Sequence, residues 1–426
     1  MNILIKNVAT FLPTGEVATK NIFIEENRIE GLYDELPADF KVDTIIDGTD
    51  KFAVPGLINA HTHASMTLLR SYADDMALMS WLTEKIWPVE DKMTADDLYW
   101  GAMLAAIEMI KSGTTAFADM YGPFVDSIAK AVIDSGLRAS LARGIVAVAP
   151  GADEKLEDSV RLYNTYNNAE NGRLTVMLSP HSLYTCPPEF LKKMADTAGK
   201  IGAEIHTHMS ETEGEVSDCL KNYGKRPFAH VESTGIFDNG TLAAHGVHLN
   251  DEDIEIIKKH NIRIVHNPGS NLKLASGVAP VARLLNEGVT VALGTDGASS
   301  NNNLDMLEEM RLAALLGKVE SKNPEAVPAL TAIKMATENG AVAAGLKDVG
   351  KLEVGYKADI TLYDMRGANW RPRFNPLSLL VYSANAGDTD TVIVDGKILM
   401  ENKTLTTIDE EKVYFEVEKA VERLIG

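Results

Sequence analysis

The chain contains 426 residues, of which 45% are apolar and 24% are charged, so it is long enough for one large globular domain and a smaller one. Its 61 acidic and 41 basic residues give a net charge of −20, which repels phosphate backbones and anionic lipid surfaces and argues against nucleic acid or a membrane as a partner. Only two cysteines occur, Cys186 and Cys219, which excludes a disulfide framework and predicts a reducing, cytoplasmic location.

The chain opens with short strand-like runs, "ILIKNVATFL" and "NIFIEENRIEGLY", which are separated by turn residues. They predict β-structure rather than a signal peptide, and no apolar run in the sequence is long enough to span a bilayer. A matching pattern returns near the C-terminus in "GKLEVGYKADITLYDM" and "TDTVIVDGKILMENK". We therefore predict that residues 1–55 and 349–426 together form a small β-sandwich domain with a C-terminal helix.

The middle of the chain, residues 56–348, alternates short β-branched runs with amphipathic helical runs. Eight strand–helix repeats predict an α/β fold, a (β/α)8 TIM-type barrel that forms the catalytic domain. An open doubly wound sheet is the alternative that periodicity alone leaves open. The predicted strands are 56–63, 114–120, 138–146, 173–181, 203–210, 242–249, 262–268 and 289–297.

The histidines follow these predicted strands closely. Barrel enzymes build their sites at the C-terminal ends of the strands. Eight of the ten histidines lie near such an end, namely His61, His63, His181, His206, His208, His245, His248 and His266. Asp296 ends the eighth predicted strand in "LGTDG". The ligand-capable residues are therefore expected to meet at one rim of the barrel.

A metal site is the first interpretation of this rim. His61 and His63 in "NAHTHASM" point to the same side of a strand, but taken alone they are better explained as packed core histidines. With His208 and Asp296 added, metal binding becomes the preferred interpretation, although Asp296 also fits a turn before a glycine. Three imidazole nitrogens and one carboxylate oxygen suit Zn²⁺, or alternatively Fe²⁺, with an open position for water.

Two further residues suggest catalysis beside the metal. Glu211 follows the predicted ligand His208 by three residues, so a general acid/base role is preferred to that of a surface carboxylate. His245 lies among small apolar residues and is either a core histidine or the group that orients and deprotonates the water. His206 is interpreted as a barrel-lining histidine with a structural hydrogen bond.

The motifs "PGLINAHTHASM", "HTHMSETEGE", "AAHGVHL", "VHNPGSNLKLASGVAP" and "LGTDGASSNNNLDM" together resemble the amidohydrolase superfamily. Within it, they are similar to the branch that contains 5-methylthioadenosine/S-adenosylhomocysteine deaminases and chlorohydrolases. The resemblance implies metal binding by His61, His63, His208 and Asp296. It also implies proton transfer by Glu211, water activation by His245, and a second role for Asp296 as a proton acceptor.

Two further implications of the resemblance concern the metal count and the substrate. Binuclear members carry a modified lysine at the end of the fourth strand, where this chain has His181, so a mononuclear site is expected. Glu90 of "WPVE" matches a residue that binds the ribose 2′- and 3′-hydroxyls, with a helix-surface glutamate as the alternative interpretation. Arg143 and His181 match substrate-binding positions. No second arginine occurs before Arg161, which weakens the expectation for S-adenosylhomocysteine.

The resemblance thus implies hydrolytic deamination of a 6-aminopurine nucleoside, to the inosine analogue and ammonia, through a metal-activated water. The expected substrates are 5-methylthioadenosine, S-adenosylhomocysteine, 5′-deoxyadenosine and adenosine. The alternatives are another mononuclear aminohydrolase acting on guanine, cytosine or a triazine, and a metal-binding protein without catalysis. No organic cofactor is expected, and a homo-oligomer is left open.

Overall fold

The computed structural model describes residues 2–36 and 41–426. The N-terminal part of the chain forms five strands, of which the third pairs with the second and the fourth with the first. The side chains of Ile3, Ile5, Ile22 and Ile24 in the first two strands are fully buried, and the intervening Leu4 and Phe23 are buried as well, so both faces of the sheet are covered there. The strands are β1 (Asn2–Phe11), β2 (Val17–Glu25), β3 (Arg28–Tyr33), β4 (Thr44–Asp47) and β5 (Lys51–Pro55).

The next eight strands form a parallel sheet in strict sequence order, which confirms the predicted barrel. A doubly wound sheet would instead change direction at an inner strand. The last strand returns to the first, because the backbone N–H of Asp296 donates to the carbonyl of His61 over 3.0 Å. The strands are β6 (Leu57–Thr62), β7 (Thr114–Tyr121), β8 (Arg138–Ile145), β9 (Leu174–Pro180), β10 (Ile205–Met209), β11 (Thr241–His245), β12 (Arg263–His266) and β13 (Val291–Leu293).

The C-terminal strands complete the sheet that the N-terminal strands begin. They are β14 (Ile360–Asp364), β15 (Thr389–Val394), β16 (Lys397–Glu401) and β17 (Thr404–Leu405). β14 pairs antiparallel with β5, so one mixed sheet of nine strands joins the two ends of the chain. The division of the chain at residues 55/56 and 348/349 stays a prediction.

Most helices follow a barrel strand in the chain, whereas the last two lie between or after the C-terminal strands of the mixed sheet. They are α1 (Leu78–Ser80), α2 (Trp87–Glu90), α3 (Ala95–Lys111), α4 (Val125–Ser135), α5 (Ala152–Tyr166), α6 (Ala169–Gly172), α7 (Pro188–Ile201), α8 (Glu213–Tyr223), α9 (Pro227–Glu232), α10 (Asp251–Lys259), α11 (Pro268–Lys273), α12 (Val281–Asn286), α13 (Met306–Ser321), α14 (Ala329–Met335), α15 (Glu338–Ala343), α16 (Pro376–Tyr382) and α17 (Glu410–Ile425). Short 3-10 helices span Ala64–Leu69, Ile236–Asn239, Ala368–Trp370 and Ala386–Asp388, and a π-helical turn spans Trp81–Ile86. Among the described residues, no helix is both long enough and apolar enough to cross a membrane.

Local sequence signals explain where several helices begin. Thr94 caps α3 by a reciprocal capping box with Asp97, which satisfies two backbone N–H groups that would otherwise lack partners. Asp97 also forms an ion pair with Arg423 of α17. The C-terminal helix is therefore anchored on a helix of the barrel.

A buried ion-pair network joins the barrel to the nine-stranded sheet. Arg138, at the start of β8, donates from Nε to Asp359 Oδ2 over 2.7 Å and from Nη2 to Asp359 Oδ1 over 3.0 Å. The same Nη2 donates to Asp395 Oδ1 over 3.2 Å. The side chains of Arg138 and Asp359 are each only 1% exposed. Because Asp359 and Asp395 flank strands of the mixed sheet, this network fixes one sheet to the other.

Replacing Arg138 with Met should lower the free energy of unfolding by about 3–5 kcal/mol, because Asp359 would keep a buried charge without its partner. Urea denaturation followed by circular dichroism measures the loss. The matched control is Arg366→Met, since the Arg366 side chain is 66% exposed in its ion pair with Asp364 and should contribute about 0–1 kcal/mol. Equal losses in both variants would contradict a special role for the buried network.

Candidate active site and metal centre

Four predicted ligands converge at the C-terminal rim of the barrel. His61 lies in β6, His63 directly follows that strand, His208 lies in β10, and Asp296 follows β13. One ligand atom from each residue lies within 4.8 Å of all the others. The Oδ1 atom of Asp296 is 3.4 Å from His61 Nε2 and 3.2 Å from His63 Nε2. Residues separated by up to 235 positions in the sequence (296 − 61) thus share one centre.

The outer nitrogen of each histidine is held by a neighbour, which turns the other nitrogen toward the centre. His208 Nδ1 donates to the carbonyl of His181 over 2.7 Å, and His63 Nδ1 donates to the carbonyl of Met120. His61 Nδ1 is 2.8 Å from His206 Nε2, so His206 contacts a ligand rather than joining the group. A histidine whose Nδ1 donates to a carbonyl presents the lone pair of Nε2, as metal ligation requires.

Burial and charge set the protonation of the cluster. Burial lowers the pKa of His61 to about 4 and that of His208 well below its usual value, so both rings are neutral and can act as ligands. Burial opposes the charged form of His63 as well, but the adjacent Asp296 carboxylate outweighs it and raises the pKa of His63 to about 9. Burial would raise the pKa of Asp296, yet the imidazoles of His61 and His63 beside its carboxylate hold that pKa well below its usual value.

Two hydroxyl groups orient the Asp296 carboxylate. Its Oδ2 atom accepts hydrogen bonds from Ser270 Oγ over 2.6 Å and from Ser300 Oγ over 3.0 Å. Oδ1 is therefore left to face His61 and His63. The Nε2 atom of His61 is buried and has no hydrogen-bond partner in the described part of the chain. An orphaned nitrogen within a set of three imidazoles and one carboxylate fits a divalent metal ion.

Glu211 and His245 lie beside this centre. The Oε2 atom of Glu211 is 3.7 Å from His245 Nε2, and both side chains are buried. Burial raises the pKa of Glu211, which favours its protonated form. His245 Nδ1 donates to Asn271 Oδ1 over 2.9 Å, so its Nε2 can accept a proton. A carboxyl group and an imidazole, two groups that can carry or accept a proton, therefore lie next to each other.

A cavity lies above the centre, between the barrel rim and the loop that follows β6. Five of the predicted residues line its base: His63, His208, Glu211, His245 and Asp296. Its walls are largely apolar and include Leu78, Trp81, Leu82, Trp87, Val146 and Leu274. This mixture of apolar walls and a few converging polar groups is typical of a small-molecule site.

The predicted substrate-binding residues separate into two groups. Glu90 and His181 both line the cavity. Glu90 Oε1 accepts from the Tyr121 hydroxyl over 2.7 Å, and burial lowers the pKa of His181 to about 3. Arg143 forms an ion pair with Asp158 of α5, and its neighbour Gly144 lines the cavity instead. The structure therefore does not bring the Arg143 guanidinium to the cavity wall.

Several residues at the site were not found from the sequence. Asn271 lies in "VHNPGSNLK", a motif that drew attention only as part of a resemblance. Tyr121 ends an unremarkable strand, and no local signal pairs it with Glu90. Lys155 carries its Nζ atom 3.4 Å from the carbonyl of Val146, a cavity-lining residue, and so brings a cation near this wall. No local motif distinguishes this lysine in the sequence.

Comparisons with known proteins extend over the same elements. The protein-family model described as "Amidohydrolase family" matches residues 52–399 of the sequence. A 5-methylthioadenosine/S-adenosylhomocysteine deaminase from Carboxydothermus hydrogenoformans is 50% identical over 429 residues, which cover 100% of this chain and 99% of the relative. A deaminase of the same name from Pelotomaculum thermopropionicum is 48% identical over 430 residues, again covering 100% and 99%. The crystal structure of an adenosine deaminase from Xanthomonas campestris with bound zinc has a TM-score of 0.94 at 31% identity and covers 99% of this chain and 98% of that one.

Proposed function

We propose that this chain, which belongs to the amidohydrolase family, hydrolytically deaminates a 6-aminopurine nucleoside to the inosine analogue and ammonia. The observation that carries the proposal is the Glu211–His245 pair beside the three-histidine, one-aspartate cluster in a single cavity. The substrate is proposed to be 5-methylthioadenosine, S-adenosylhomocysteine, 5′-deoxyadenosine or adenosine. The names of the curated relatives support the first two.

His61, His63, His208 and Asp296 are proposed to hold one divalent metal, with Zn²⁺ preferred because a zinc-bound relative shares the fold. When bound, such a metal supplies Lewis-acid activation of water near neutral pH. The fourth barrel strand, β9, is followed by His181 and not by a lysine, which supports a mononuclear site.

The remaining chemistry is assigned to side chains of this cavity. His245 Nε2 accepts the proton of the attacking water, with Asp296 as a second acceptor on the same side. Glu211, whose pKa is raised by its burial, donates a proton to ring N1, so that the C6 carbon becomes more electrophilic. The proton held by His245 then passes to the exocyclic amine and the C6–N bond breaks to release ammonia. The hydroxyl on C6 returns a proton to the Glu211 carboxylate as the carbonyl of the inosine analogue forms. His181, which lines the cavity, is proposed to contact the purine.

An ammonia-release screen with the zinc-loaded protein tests the proposed function. The substrates are adenosine, 5′-deoxyadenosine, 5-methylthioadenosine, S-adenosylhomocysteine, guanine and cytosine, with a chlorinated or aminated triazine as a further arm. We expect release from the nucleosides and from neither free base. Activity confined to the free bases or the triazine would overturn the substrate class, and no activity on any compound would overturn the enzymatic assignment.

Glu90→Gln should raise KM for adenine ribosides by about 10–100-fold, because a charged hydrogen bond to a vicinal diol contributes about 1.5–3 kcal/mol. The measurement compares adenosine with 2′,3′-dideoxyadenosine, which lacks both hydroxyls and should bind the two enzymes equally. Glu84→Gln is the control, since Glu84 is exposed in the π-helical turn that directly precedes α2, and its replacement should leave KM unchanged. Equal losses for adenosine and its dideoxy analogue would contradict the diol contact.

A further inference from the structure

Glu215 is a buried carboxylate that the proposed reaction does not use. It lies in the first turn of α8, and the residue is only 8% exposed. No lysine or arginine in the described ranges forms an ion pair with it. Burying a carboxylate without a cation is costly unless other donors satisfy its oxygens. The hydrogen-bond donors that contact Glu215 therefore indicate its role.

Both oxygens of Glu215 accept hydrogen bonds from the backbone of the catalytic turn. Oε1 accepts from the N–H of Ser210 over 2.8 Å, and Oε2 accepts from the N–H of Glu211 over 2.8 Å. These are consecutive peptide groups, and the second belongs to the proposed proton donor itself. One carboxylate thus clamps the backbone at the point from which the Glu211 side chain departs.

The clamped segment needs such a restraint. Ser210 has a φ of 51°, a left-handed conformation that a residue with a side chain adopts only at a cost. This turn directly follows β10, which carries the predicted ligand His208. On the other side, the hydroxyl of Thr212 accepts from the N–H of Glu215 over 3.1 Å and so ties the turn to the helix. The turn is therefore held between a barrel strand and the first turn of α8.

We propose that Glu215 is a positioning residue that fixes the backbone of Ser210 and Glu211, so that the Glu211 carboxyl group meets the substrate at the correct distance. The proposal rests on the proposed function, because its effect is measured in nucleoside deamination. It explains why an acceptor-only group occupies this position. A carboxylate satisfies two N–H donors at once, whereas the amide of glutamine would turn its own NH2 group toward one of them.

Glu215→Gln tests the proposal with a change of one atom. We expect kcat to fall by about 10–100-fold, as is usual when the partner that orients a reactive group is lost. KM should change by less than about threefold, since Glu215 does not line the wall of the catalytic cavity. Metal content and melting temperature should stay at the wild-type values. Glu213→Gln is the matched control, because Glu213 lies in the same helical turn but is exposed.

A double-mutant cycle separates positioning from general loss of structure. If Glu215 acts through Glu211, Glu215→Gln should have no further effect on kcat in a Glu211→Gln background. A full additional 10–100-fold loss in that background, or a melting temperature that falls together with kcat, would overturn the proposal. So would wild-type kcat in the single variant. If instead the wild-type enzyme deaminates no nucleoside, it is the proposed function that fails.

Discussion

Replacing Glu211 with Gln is expected to lower kcat for nucleoside deamination by about 10²–10⁴-fold, the usual contribution of a positioned proton donor. The amide keeps the size and the hydrogen-bonding capacity of the side chain, but it cannot deliver a proton to ring N1. KM should therefore change little. Steady-state ammonia release with 5-methylthioadenosine measures both parameters.

The pH dependence gives this prediction a second readout. The donor must be protonated, so activity should fall as the pH rises through the pKa of Glu211. Because burial raises that pKa, the active form persists to higher pH than an exposed glutamate would allow. The residual activity of the Glu211→Gln variant should not show this decrease at high pH. An unchanged pH profile together with a wild-type kcat would remove Glu211 from the mechanism.

The second large effect concerns the metal. Stripping the divalent metal with a chelator should lower ammonia release by about 10³-fold or more, since Lewis-acid activation supplies several kcal/mol and each 1.36 kcal/mol is tenfold. Added Zn²⁺ should restore the rate. His208→Ala should show the same loss without chelation, because it removes one of the four donors. Elemental analysis should find one metal per wild-type chain and less in the variant.

A suitable control for the His208 variant is His260→Ala. His260 contacts Glu232 over 3.0 Å and does not line the catalytic cavity, so its loss should leave metal content and activity unchanged. Full activity in metal-free protein would contradict the metal-dependent mechanism. Two metals per chain would contradict the mononuclear site that the absence of a lysine after β9 predicts.

Periodicity in the sequence predicts that a strand exists better than it predicts where the strand ends. The first barrel strand is predicted at 56–63 and observed at Leu57–Thr62, whereas the eighth is predicted at 289–297 and observed only at Val291–Leu293. The apolar run determines that a strand exists. Its end depends on where the neighbouring strand stops donating hydrogen bonds, which the run itself does not encode. Asp296 consequently lies in the loop after its strand.

The motif that contains Arg143 does not predict which group its guanidinium contacts. The resemblance implies a substrate contact, and the position at the end of β8 agrees with it. In the structure its guanidinium pairs with Asp158, which also accepts from Arg161 Nε over 2.8 Å. Sequence spacing does not decide which of several carboxylates a long, flexible side chain will choose. Its role toward substrate stays a prediction.

The types of donor group at the C-terminal rim of the strands could be predicted from the sequence. The alternation of strands and helices specified parallel strands, while periodicity alone left open whether they close into a barrel. The histidines and Asp296 near the strand ends specified nitrogen and oxygen donors on one face, because parallel strands all present their C-terminal ends at the same side. The tertiary structure alone decided which groups orient these donors. The orienting hydrogen bonds join Asn271 to His245, Tyr121 to Glu90, and Glu215 to the backbone of Glu211. Each depends on the direction of the bond and on distances of a few tenths of an ångström. Such geometry arises only when the barrel closes and brings its loops together.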